Sequence, residues 1–75
     1  RIMKHIIQFH IYKVDKQYVA EGVDAPVVTE GRTIDELLEN VQEAVSVYLE
    51  GEDLAALNLV KNPSVLVNIE LPVHA

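Results

Sequence analysis

GRTIDELLENVQEAVSVYLEG, residues 31–51, decides the fold. Thr33 can accept a bond from the first helical amides, and Glu36, three residues on, can return one; this capping-box spacing predicts a helix from Ile34. At about 100° per residue, Ile34, Leu37, Leu38, Val41, Ala44, Val45, Tyr48 and Leu49 gather in an arc of about 140°, the width of a helix lying on a sheet. Gly51 is expected to end the helix, and Gly31 to allow a tight bend ahead of it. Loss of the Thr33 hydroxyl is predicted to cost about 1 kcal/mol, a drop that a urea melt of Thr33→Ala measures.

A helix with one apolar stripe needs a sheet, and the flanking sequence supplies strands. From His5 to Val14 side chains alternate, with Ile7, Phe9 and Ile11 on one face and Ile6, His10, Tyr12 and Val14 on the other. Both faces are largely apolar, so this strand is expected inside the sheet, and one helix can cover only one of its faces. Asp15 and Lys16 mark a reversal into a second strand, Gln17–Glu21, although no Gly strengthens the hairpin signal. Asp24 and Pro26 imply a bend, and a short third strand is expected at Val27–Thr29.

Beyond Gly51, Glu52–Val60 has the composition of a short second helix, stopped by Pro63. Ser64–Leu71 alternates Val65, Val67, Ile69 and Leu71 against Leu66, Asn68 and Glu70, a half-buried last strand that Pro72 ends or marks as an edge. The expected class is therefore α+β: a small antiparallel-type sheet in the order β-β-β-α-β, with one long helix on one face. Residues 1–75 form a single domain, since 75 residues leave no room for a second.

Composition narrows the function. Cysteine is absent, which excludes disulfides and thiolate metal sites. No apolar run approaches the roughly 20 residues of a membrane span, and no signal-peptide pattern opens the chain, so a cytoplasmic location and no membrane partner are expected. Six Lys and Arg against twelve Asp and Glu give a net charge of -6. That balance disfavours direct nucleic-acid binding and favours a basic partner. No base lies between Arg32 and Lys61, whereas Asp35, Glu36, Glu39, Glu43, Glu50, Glu52 and Asp53 all do. The helical glutamates form an acidic ridge opposite the apolar stripe, readable as a solvated face or as a steering surface for a cationic protein.

Reactive chemistry finds no support. His5 and His10 point to opposite faces of one strand and cannot share a metal, and His74 lies in the tail. Neither Ser46 nor Ser64 sits in a glycine-flanked turn of the kind that presents a nucleophile, and Gly22, Gly31 and Gly51 are too scattered for a phosphate loop. No enzymatic activity, metal or cofactor is expected.

The run Tyr18-Val19-Ala20-Glu21-Gly22-Val23-Asp24-Ala25-Pro26, continuing through Thr29-Glu30-Gly31-Arg32-Thr33 to Asn40 and Glu43-Ala44, resembles the HicB-like antitoxin family. That family's pattern is an aromatic strand, an Asp and Pro bend, Thr-x-Gly-x-Thr, then Glu-x-x-x-x-Asn-x-x-Glu-Ala on the helix. Val23 and Val27 depart from it, standing where many relatives carry Pro and Gly. Within these 75 residues no DNA-binding domain is expected after Leu71, whereas many HicB antitoxins carry one.

The resemblance implies a reduced ribonuclease H-like fold without that enzyme's metal-binding carboxylates. It also implies a toxin-antitoxin role, in which the chain binds a small basic ribonuclease toxin of the HicA type and blocks it. Tyr18, Glu21, Asp24 and Pro26 would then be contact residues, and Glu36, Glu39 and Glu43 would mimic RNA phosphates. For Tyr18 and Pro26, core packing and turn geometry are equally good explanations. The alternative is a solitary homo-oligomeric module, a homodimer or larger, with a regulatory or scaffolding role; the uncovered face of the first strand motivates it.

Overall fold

The computed structural model describes residues 4–51, 53, 56 and 59–73. Its elements are β1 (Lys4–Val14), β2 (Gln17–Gly22), β3 (Val28–Gly31), α1 (Ile34–Glu50) and β4 (Leu59–Ile69). The four strands form one sheet in the order β3-β2-β1-β4, with the helix packed on one face, an α+β architecture.

β1 and β2 pair antiparallel from Phe9↔Gly22 to Val14↔Gln17, so the hairpin turn is the two residues Asp15 and Lys16. Asp15 takes φ 55°, and a short polar side chain visits this left-handed region more readily than most. β3 extends the meander antiparallel to β2. β4 then pairs parallel to β1, from Ile6↔Ser64 to Ile11↔Ile69. The antiparallel arrangement expected from the sequence thus covers β1 to β3, and the complete sheet is mixed. The cause is the connection: a strand, a helix and a strand in succession return the chain to the sheet in its original direction.

The last strand also begins earlier than Ser64. Leu59 faces Lys4, and a register shift separates that pair from Ile6↔Ser64. Pro63 lies in this irregular part of a strand that, among the described residues, pairs with β1 alone, and a missing N–H is tolerated there. Most of the short helix expected over Glu52–Val60 falls outside the described residues, as does His74; its last two residues, Leu59 and Val60, belong to β4.

The core is the layer between sheet and helix. Ile7, Phe9 and Ile11 from β1, Ala20 from β2, Val27, and Leu37, Val41 and Val45 from α1 are all buried. Leu38, Ala44, Tyr48 and Leu49 pack partly against them, in agreement with the stripe expected from the period.

The helix start follows its sequence closely. Thr33, extended at φ -125° and ψ 163°, accepts from the Glu36 amide at 3.1 Å. The Glu36 carboxylate in turn accepts from the Arg32 amide at 3.3 Å, one residue before the cap. The chain bends at Arg32 and Thr33 as expected, and Gly31 has a further part. Its φ is not positive. It is buried at the end of β3, and a Cβ there would lie 2.7 Å from the Leu37 backbone nitrogen. Glycine lets the helix backbone close directly onto the strand.

Candidate functional site

Two surfaces are candidates, one on the bare face of the sheet and one where β3 meets α1. On the bare face, alternation places Ile6, Gln8, His10, Tyr12 and Val14 of β1 beside Val19 and Glu21 of β2 and Leu66 and Asn68 of β4. No described element covers it. Ile6 and Leu66, close together across β1 and β4, keep 47% and 46% of their surfaces exposed. The expectation that one helix leaves the second apolar face of β1 open is met.

A polar band crosses this face. His10 Nε2 lies 3.5 Å from a Glu70 carboxylate oxygen, and the His10 and Tyr12 rings stand 5.9 Å apart. The Tyr12 hydroxyl donates to the Glu21 carboxylate. That bond, with local desolvation and the negative charge of Glu21, raises the Tyr12 pKa above its ordinary 10.0. A raised acid favours its neutral form, so the contribution of this bond to the fold is complete below pH ~10 and fades as pH climbs through the raised value. An absorbance titration should find Tyr12 ionising above its ordinary value, and Glu21→Gln should return its midpoint toward that value.

The second surface is a groove between the chain at Pro26 to Thr29 and the outer side of α1, where Asn40, Glu43 and Val47 line it. Val47 on its helix wall is 63% exposed, whereas Val28, 68% exposed at its strand wall, stands opposite Glu21 and so lies on the bare-face side of β3. No Lys or Arg lines it. Glu39, one turn before Glu43, is exposed, as are Glu36 and Glu50 on the same ridge. The Asn40 side-chain amide donates to the Glu30 carbonyl at 2.8 Å, which fixes α1 to the outer edge of β3.

The structure divides the residues expected to contact a partner. Pro26 and Glu43 come together at the groove, with Glu39 beside it on the helix. Glu36 is engaged in the helix cap, while Asp24 is exposed in the loop before β3. Glu21 lies on the bare face. Tyr18 faces the helix side, partly buried against the core, with Lys13 Nζ 5.5 Å from its ring centre, so the packing explanation suits it. Sequence reasoning assigned no role to Val47 or Asn40. Val47 had a legible signal, as the one large apolar residue near the acidic ridge; the Asn40 bond depends on a strand ten residues earlier.

Among the described residues no group of three His, Asp or Glu side chains is placed to hold a metal, and no helix is long and apolar enough to cross a membrane. Comparison with protein-family models, curated proteins and solved structures returned no match.

Proposed function

We propose that this chain is a HicB-like antitoxin, a cytoplasmic protein without catalytic activity that binds a small basic ribonuclease toxin of the HicA type and covers its RNA-binding or active surface. The observation that carries this reading is the groove between β3 and α1: an exposed apolar anchor, Val47, stands beside Glu43 with no cation on the walls. Apolar contact at the centre with charge at the rim is the usual anatomy of a protein interface. The acidic rim would speed encounter with a cationic partner. The sheet order, with β4 parallel to β1, supports the reduced ribonuclease H-like arrangement that the resemblance implies. Val47 and Pro26 form the centre of the proposed footprint, with Glu43 and Glu39 at its rim.

Co-expression with the small basic protein encoded by the neighbouring reading frame tests the proposal. A stable complex and restored growth are expected, with association slowing as salt rises. Combining Glu39→Lys with Glu43→Lys should weaken the complex by about tenfold or more and flatten its salt dependence. Absence of both complex and growth rescue would end the proposal. A second reading, a homo-oligomeric regulatory or scaffolding module, is favoured by one observation, the exposed Ile6 and Leu66 on the bare sheet face.

A further inference from the structure

We infer that two copies of this chain pair antiparallel along the outer edge of β4, joining two four-stranded sheets into one of eight. The two edges of the sheet differ. β3 is four residues long, carries Glu30, and has the Glu30 carbonyl already occupied by Asn40. These are devices that keep an edge from adding strands. β4 confines such devices, Lys61, Pro63 and the register shift, to its first part; from Ser64 to Ile69 it has no charge, no Pro and no Gly.

The direction of the free backbone groups follows from the ladder. The Glu70 amide donates to the Ile11 carbonyl, so by alternation Asn68 and Leu66 also bond toward β1. Val65, Val67 and Ile69 therefore turn their N–H and C=O groups outward. Among the described residues β4 pairs with β1 alone. On the helix side of the sheet, Val65 and Val67 are only partly buried, and Ile69 is 41% exposed.

A second copy fits this edge by symmetry. With a two-fold axis at Val67, Val67 faces its own copy and Val65 faces Ile69, so all three outward residues meet outward residues. About six backbone bonds result, flanked by cross-strand pairs of β-branched side chains. Charge selects the same place. Each copy carries -6, and this segment has no ionisable group; in the proposed register Glu70 falls opposite Ser64, away from its own copy. Two like-charged molecules can approach here without opposing carboxylates. The pairing supplies a surface for the homo-oligomeric reading and stands apart from the toxin-binding reading, whose groove is on the opposite edge.

Sedimentation over a wide concentration range, with amide hydrogen exchange, tests the inference. A species of twice the 8.4 kDa chain mass is expected, with the Val65, Val67 and Ile69 amides growing more protected as it forms. Ile69→Lys should weaken the dimer by about tenfold or more, as should Val67→Pro, which removes an outward N–H and leaves the β1 ladder intact. Unchanged circular dichroism would show that the variants remain folded, and Ile69→Lys suffices if Val67→Pro does not. A chain that stays monomeric when concentrated would overturn the pairing and the homo-oligomeric reading together. A dimer that survives Ile69→Lys but is lost in Ile6→Glu would place the contact on the bare face and overturn the edge pairing alone. Either result leaves toxin binding to its own assay.

Discussion

Phe9→Ala should leave the domain at or beyond the edge of unfolding at 25 °C. Phe9 is fully enclosed at the centre of β1, in one buried cluster with Ile7, Ile11, Leu37 and Val41. Truncating such a ring costs about 3–5 kcal/mol, because the cavity left behind adds to the lost transfer energy. A chain of this length has about 4–11 kcal/mol in total, and small domains with a single thin core lie toward the lower end. Urea melts should show a collapsed midpoint for Phe9→Ala, while Phe9→Leu, which keeps most of the volume, loses much less. A loss below about 1 kcal/mol for the alanine variant would mean that the layer between sheet and helix is not the core.

The second large effect is expected at Gly31. A methyl group there collides with the backbone of Leu37, at 2.7 Å from its nitrogen and 2.9 Å from its Cα. Backbone cannot rotate aside as a flexible side chain can, so strand and helix must separate. Gly31→Ala should cost about 2–3 kcal/mol, in the range of an overpacked core. Gly51→Ala is the internal control. Nothing lies within 4 Å of its added carbon, and φ is -92°, so the change should be neutral or slightly stabilising. Equal melting of the two variants would contradict the close approach of α1 to β3.

These residues also mark what was legible in the sequence. The helix was, because its cap, its apolar arc and its end all lie within one local segment, and Thr33 and Leu37 behave as their spacing required. β1 was equally clear, since alternation over its length predicts both the buried row through Phe9 and the bare row through Ile6. Pairing was not. Nothing near Val65 in the sequence states that its neighbour is Ile7, more than fifty residues earlier, or that the two strands run parallel. The start of β4 was hidden by Pro63, a residue that argues against a strand unless the strand is known to be an edge. Gly31 reads in the sequence only as a bend; its close contact with Leu37 is not legible there, since lack of a side chain serves bends and close contacts alike. Of the candidate site, the acidic ridge was visible as a period, but the groove beside it depends on how α1 is set against β3, where the Gly31 contact and the Asn40 bond join elements that are separate in the sequence.

The pairing of β1 with β4 has a consequence for how the molecule is made. β1, made before the other three strands, receives its second neighbour only after β2, β3 and α1 have all been synthesised. Until then one flank of the innermost strand is open, and Phe9 has only part of its enclosure. Closing so long a loop slows folding, because its entropy must be lost before the contact forms. A nascent chain in this state presents a bare, apolar strand to the cell, so ribosome stalling shortly before Ser64 would make aggregation or degradation the competing fate.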